Sequence, residues 1–217
     1  MDNSYVSQPL ARWTLIGLTL IVLALPAWAQ TKGESEAQCG VNTDPDTRIS
    51  GCTALIQSGQ QTTENLAISY NNRGIGYNRK GLYDQAIADA TEAITLKPDL
   101  ATAYAVRGSS YRLKGFDDQA IADYTHAIAL NPDNGPLAVI YSDRGQAYGD
   151  KGVYDQAIAD ATEAITLKPD HPKFYYWRAT AKKAKGDSGG AKADYAKALE
   201  LKPDFVDAQN ALAALNK

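Results

Sequence analysis

A five-residue phrase recurs along this chain at a nearly constant interval. Tyr70-Asn71-Asn72-Arg73-Gly74 returns as Tyr104-Ala105-Val106-Arg107-Gly108, as Tyr141-Ser142-Asp143-Arg144-Gly145, and as Tyr175-Tyr176-Trp177-Arg178-Ala179. Gly74 and Gly108 stand 34 residues apart, Gly108 and Gly145 stand 37 apart, and Gly145 and Ala179 again 34. The longer interval holds Gly135-Pro136-Leu137, read as a three-residue insertion. A period of this size means one supersecondary unit per repeat, each unable to bury its apolar face alone and so obliged to stack on its neighbours.

Within a unit the periodicity is helical. Tyr70, Gly74 and Tyr77 share one face of a first helix, and Ala86, Ala90 and Ala93 share one face of a second. The breaks are equally regular. Gly81, Gly115, Gly152 and Gly186 stand where a first helix must end in a left-handed residue. Asp84, Asp118 and Asp155 are expected to cap the second helix. Pro98, Pro132, Pro169 and Pro203 deny their predecessors the helical region and so close each unit, with Asp99 expected to cap the helix that follows.

The run from 67 to 205 resembles tetratricopeptide repeats, whose pattern is an aromatic, a small residue, Tyr, Ala, Ala and a closing Pro. The first unit matches at Tyr70, Gly74, Tyr77, Ala86, Ala90, Ala93 and Pro98. The second matches at Tyr104, Gly108, Tyr111, Ala120, Ala127 and Pro132, with Tyr124 where the first has Ala90. The resemblance implies an all-α fold, a right-handed superhelical solenoid of antiparallel helix pairs, divided as 67–100, 101–134, 138–171 and 172–205. The stretch 206–217 then reads as a C-terminal capping helix with a polar outer side.

Two segments precede the array. Residues 1–29 have signal-peptide order: Arg12, an uncharged apolar run from Trp13 to Leu25, then Pro26-Ala27-Trp28-Ala29, with cleavage expected after Ala29. The run is too short to span a bilayer core of roughly 20 residues. An uncleaved N-terminal anchor is the competing reading. Residues 30–66 read as a degenerate helical cap, because Arg48 to Ile56 align with Ala86 to Ile94 and set Cys52 at the place of Ala90. Cys39 then falls in the preceding element, where Tyr77 stands in the next unit. In an oxidising compartment these two, the only cysteines in the chain, are expected to form one disulfide that staples the cap. The localisation implied is periplasmic or secreted.

Charge and composition narrow the function. Net charge is −3, and the leader holds one Asp and one Arg, so the mature chain keeps −3 and lacks the basic excess that nucleic acid wants. The glycines are spread one per repeat position, unlike a phosphate loop. His126 and His171 lie far from the cysteines without ligand spacing, so no metal or other cofactor is expected. No nucleophile–base set or paired catalytic carboxylates stand out, and the chain is read as non-catalytic.

What the resemblance implies instead is a protein-interaction scaffold in the cell envelope, with the first helices lining a concave face that takes a peptide or a helix. A regulatory or substrate-presenting subunit of an envelope enzyme is the alternative. Residues facing away from the packing stripe form the candidate groove: Asn71, Asn78 and Arg79, then Ser109 and Arg112, then Gln146 and Asp150, then Lys173, Tyr176 and Lys183. Members that clamp a terminal carboxylate do so with lysine, arginine and asparagine. The corresponding positions here are Asn71, Ile75, Val106, Val139 and Asp143, which lack every expected cation. The expected partner is therefore a protein or peptide of another kind, with no nucleic acid and no membrane after cleavage.

Two repeated charges have a structural reading. Arg73, Arg107, Arg144 and Arg178 are expected to pair with Asp89, Asp123, Asp160 and Asp194 in a ladder that sets stacking register. The fourth unit departs from its siblings, with Lys182 in place of the inner Tyr and Gly186-Asp187-Ser188-Gly189-Gly190 at its turn. It is expected to exchange amide protons first.

Overall fold

In the computed structural model, residues 32–40 and 43–215 are described; the leader lies outside them. The described residues form eleven helices and no strand. They are α1 (Lys32–Cys39), α2 (Pro45–Ser58), α3 (Thr63–Arg79), α4 (Tyr83–Leu96), α5 (Ala101–Leu113), α6 (Asp117–Ala129), α7 (Asn134–Asp150), α8 (Tyr154–Leu167), α9 (Pro172–Lys185), α10 (Ser188–Leu201) and α11 (Val206–Leu215). No described helix is long and apolar enough to cross a membrane.

The helices pack as consecutive pairs, each against the next: α1 on α2, α3 on α4, through α9 on α10, with α11 closing the end. Contact also runs directly from α3 to α5, from α5 to α7 and from α7 to α9, with no comparable contact between successive second helices. The first helices are therefore the crowded inner layer of a solenoid, and α4, α6, α8 and α10 are its outer layer.

The core that joins the layers is made largely of alanine. Ala86, Ala90, Ala93, Ala120, Ala127, Ala164, Ala179, Ala191 and Ala198 are fully buried. Small side chains let helix backbones approach, and the tyrosines fill what remains. At Gly145 the approach is close enough that an added Cβ would meet the Ala157 carbonyl oxygen at 3.1 Å and the Asp160 Cβ at 3.2 Å.

Each first helix ends as the glycines predict. Gly81, Gly115, Gly152 and Gly186 have φ of 74°, 79°, 77° and 97°. The Leu82 N–H donates back to the Tyr77 carbonyl at 2.9 Å, and Phe116 and Val153 do the same to Tyr111 and Tyr148. This is a Schellman ending, in which the residue after the left-handed glycine is apolar and packs on the helix it closes.

That ending corrects the expected caps. The two-residue turn makes Leu82, Phe116 and Val153 the N-cap residues, without side-chain bonds, and leaves Asp84, Asp118 and Asp155 inside the first turn. There they favour the helix dipole and reach across to the following unit instead: Lys114 pairs with Asp84, Lys151 with Asp118 and Lys185 with Asp155, as Lys80 does with Asp46. Asp99 likewise does not cap α5, whose N-cap is Leu100; its carboxylate accepts from Lys97 at 3.2 Å. Only the fourth unit uses a side-chain cap at this turn, with Asp187 accepting from the Gly190 N–H at 2.8 Å.

Two further details go beyond the sequence expectation. The three-residue insertion Gly135-Pro136-Leu137 is taken up in the first turn of α7, which runs 17 residues. The second unit also closes differently from the others: α6 stops at Ala129, and Asn131 before Pro132 adopts φ of 48°.

At the N-terminal end, α2 takes the place of a second helix and Cys52 is fully buried. Cys39, the last residue of α1, is bonded to it, with Cα atoms 4.6 Å apart. Gly51 makes the approach feasible, since a Cβ there would lie 2.5 Å from the Gln38 Cβ.

Candidate functional site

The expected ladder is present in every unit. Arg73, Arg107 and Arg144 each present Nε and Nη2 to both oxygens of Asp89, Asp123 and Asp160 at 2.8 Å, and Arg178 does so to Asp194 at 2.8 and 2.7 Å. The remaining arm of each guanidinium donates to a threonine on the second helix of the preceding unit: Thr53, Thr91, Thr125 and Thr162. One arginine thus ties its own hairpin shut and fixes it to its neighbour, which is a register device. Bonding to the aspartate pushes each guanidinium above its ordinary value. In the fourth unit Lys182 joins the same carboxylate at 2.8 Å, and Asp194 sits below the usual carboxylate range: burial would raise it, but the bonds from Arg178 and Lys182 outweigh that.

The inner layer is where the units differ. Three hollows follow one another along it and share walls. A hollow of about 670 Å³ has Ile75, Asn78, Val106, Leu113 and Val139 in its lining. The next, of about 560 Å³, adds Phe174, Trp177 and Phe205. A third, of about 280 Å³, lies between Arg112, Gln146, Asp150 and Trp177. Val139 and Asp143 belong to both larger hollows; Ser142, Gln146 and Trp177 join the second to the third. The result is a groove across α3, α5, α7 and α9 with an apolar floor and polar edges.

Most of the residues singled out from sequence line this groove. Asn78, Arg79 and Ser109 border the first hollow, Arg112, Gln146 and Asp150 the third, and Lys173 the second. The Asn78 Oδ1 and the Arg112 Nε are covered and lack hydrogen-bond partners. Arg112 holds Asp150 at 3.1 Å, and Gln146 Nε2 donates to Asp143 Oδ1 at 3.3 Å.

Three others fall elsewhere. Asn71 is only 6% exposed and donates to Asn72. Tyr176 packs on Trp177, Tyr195 and Phe205, so its ring belongs to the core under α11, and burial raises its hydroxyl above the ordinary value. Lys183 is exposed and lines none of the three hollows.

Sequence reasoning also missed the floor: Val106, Asp143 and Trp177 all stand two residues before the small residue of their unit. Of the residues one earlier, chosen from helical phase, Asn71 and Tyr176 turn into packing, while Ala105 and Ser142 line the hollows. The signal that reached the floor was the carboxylate-clamp comparison, which picked out Val106, Val139 and Asp143 because they are not cations.

Asp143 is the unusual acid of the groove. Burial pushes its carboxyl up to about 6 against the opposing pull of Arg112 and the Gln146 amide. Beneath it, Tyr124 is fully buried with its hydroxyl unpartnered, and burial raises that hydroxyl well above its ordinary value. Asp117 is also raised, by burial first and by the Asp150 carboxylate second. Among the described residues no group of His, Cys, Asp or Glu side chains is placed to hold a metal.

The family profile of the tetratricopeptide repeat matches residues 67–100, 101–134, 138–171 and 172–205. Among curated proteins no sequence matches the chain. Solved structures do. A thermophilic protein of this repeat class from Thermus thermophilus superposes with a TM-score of 0.65 at 23% identity, over 79% of this chain and 90% of that one. The APC/C hetero-tetramer Cut9–Hcn1 gives 0.73 at 20% identity, over 80% of this chain and 33% of that one. The first repeat domain of Spaghetti (RPAP3), bound to an HSP90 peptide, gives 0.51 at 30% identity, over 54% of this chain and 90% of that one.

Proposed function

As this chain belongs to the tetratricopeptide repeat family, we propose that it is a scaffold holding a polypeptide partner, in extended form, along the inner layer of its first helices. The observation that carries this reading is the continuous groove itself. Its floor is apolar at Ile75, Val106, Val139 and Trp177, while Asn78, Ser109, Arg112 and Gln146 give it polar edges. Apolar floor and polar edge are what an extended peptide needs: alternate side chains go down, and backbone groups meet the amide, hydroxyl and guanidinium side chains of the edge. The peptide-bound relative supports the reading at the level of fold.

The scaffold acts in the cell envelope after removal of residues 1–29 in this proposal, supported by the order of charged, apolar and small residues in the leader and by the cap disulfide, a bond that an oxidising compartment preserves. It works by binding rather than by chemistry.

Val139 and Leu113 test the groove because both are exposed, at 44% each, and both line it. Crosslinking in intact cells followed by purification is expected to recover a polypeptide with the wild-type protein and to lose it with Leu113→Arg plus Val139→Arg. A partner retained by that double variant moves the site off the inner layer. N-terminal sequencing of the purified protein tests the leader: a first residue of Gln30 is expected, and Met1 on the protein from membranes would make the segment an anchor.

A further inference from the structure

We infer that the peptide held in this groove carries a lysine or arginine, and that Asp143 is its counter-charge at the point where the two larger hollows meet. The inference rests on the peptide-groove reading and names the chemistry of what fills it.

Among the described residues, Asp143 is the acid that lines both hollows. It is partly accessible from the groove, yet burial holds its carboxyl well above the usual carboxylate range, which is the mark of a negative charge without a full partner. The positive group that acts on it is Arg112, already engaged by Asp150 at 3.1 Å. Asp117 draws on the same guanidinium and is itself raised by burial. Asp117 also has Lys151 nearby, whereas Asp143 and Asp150 share the one arginine in the middle of the inner layer.

Asp143 accepts one hydrogen bond in the protein, from the neutral amide of Gln146, which leaves lone pairs on its carboxylate for a charged donor. An ammonium brings three N–H donors and a guanidinium five.

Aromatic surface completes the site. Trp177 borders the same hollow as Asp143, and an indole face attracts a cation more strongly than any other side-chain ring. An acid and a tryptophan at one depression form a receptor for a cationic side chain, with the apolar surface of the two hollows that meet at Asp143 taking its neighbours. The cations of the walls are peripheral by comparison: Arg79, Lys173 and Lys202 are exposed at the rims, where water already satisfies them.

Selection from a phage-displayed library of random dodecapeptides tests this. Against the wild-type protein at pH 7.5 the selected peptides are expected to share a lysine or arginine flanked by apolar residues. Synthetic versions are expected to bind about 10-fold or more weakly to Asp143→Asn, the loss of a charge-assisted contact, and about as weakly to the wild type at pH 5. His171 is the other wall group that gains charge toward pH 5, with burial and the nearby lysines holding it below its ordinary value. The pH effect is therefore to be absent in Asp143→Asn if Asp143 is its origin. Circular dichroism and a melting temperature no lower than wild type establish that the variant is folded.

Selected peptides without a shared cation, peptides enriched in Asp or Glu, or affinity unchanged in Asp143→Asn each overturn this inference and leave the peptide groove standing. If the wild-type protein selects no peptide, the groove reading falls and this inference with it.

Discussion

The outer and inner layers of this solenoid use the same repeat in opposite ways. Where the outer layer meets the inner one, a single device recurs nearly unchanged from Arg73 to Arg178: a guanidinium clasping the aspartate of its own outer helix at 2.7–2.8 Å and reaching a threonine of the unit before. On the inner side, the position two residues before the small residue reads Asn72, Val106, Asp143 and Trp177, four different chemistries at one geometric place. What every unit needs for stacking is repeated; what a partner would distinguish is not. The comparison separates residues that hold the array together from residues that give it a use.

The sharpest way to break the comparison is to remove a ladder carboxylate. Asp160→Ala leaves the Arg144 guanidinium partly covered and unpaired, and is expected to cost about 3 kcal/mol, as breaking a covered ion pair does. Urea unfolding reads this directly, and a loss below about 1 kcal/mol would mean the ladder is decoration.

Reduction of Cys39–Cys52 probes the region outside the repeats. Releasing a loop closed over a separation of 13 residues is expected to cost up to about 3 kcal/mol, visible as a lower melting temperature in reducing agent and as faster amide exchange in α1 and α2. Native protein in which both thiols titrate without reductant would remove the staple from the account.

The groove is expected to behave in the opposite sense. Asp143 titrates in the folded protein near 6, against an unfolded carboxyl near 3.9. The folded state therefore holds the proton more tightly, so this group makes the protein more stable as pH falls from about 7 toward 4 and less stable above. Asp143→Asn is expected to raise stability at pH 8 by roughly 1–2 kcal/mol, less than the full shift implies because the residue is only partly buried. The gain is expected to vanish near pH 4. A variant less stable than wild type at pH 8 would place Asp143 among the structural residues.

Smallest of all is the ladder between turns. Lys114→Ala removes the bond to the exposed Asp84 and is expected to change stability by no more than about 0.5 kcal/mol, with even that lost at high salt. An effect as large as that of Asp160→Ala would show that exposure does not sort the two ladders. Between these extremes lies the fourth unit, where Gly189 and Gly190 occupy the first turn of α10 but Lys182 adds a second cation to Asp194. Hydrogen exchange measures whether the glycines or the ion pair prevails.

Much of this was legible before any coordinates. The interval between Gly74 and Gly108, the glycine turns and the closing prolines specify helix pairs, and Arg73 with Asp89 recurs at a constant distance, so the ladder was readable as a pattern. Cys52 could be matched to Ala90 because even the degenerate cap keeps the phase of its second helix. The misreadings are local in origin. Asp84 looks like a cap because caps are short-range, but its carboxylate is drawn to Lys114 of the next unit, a neighbour only in space. Gly135-Pro136-Leu137 is the insertion that the 37-residue interval indicates, and what the interval does not show is that it lengthens a helix: proline is tolerated in the first turn, where its missing N–H has no partner to lose.

By itself, then, the sequence determined everything that repeats: two helices per unit, their ends, the alanine contact faces and the charges that lock them, since each is written as a periodic signal a few residues long. Tertiary structure alone decided which face of each first helix lies open. Asn71 and Tyr176 turn into packing while Val106, Asp143 and Trp177 turn into the groove, because one residue along a helix is a rotation of about 100° and only the stacking of neighbours settles which side is covered. It also decided that Asp143 shares Arg112 with Asp117 and Asp150, charges from three helices that meet only when the units are stacked.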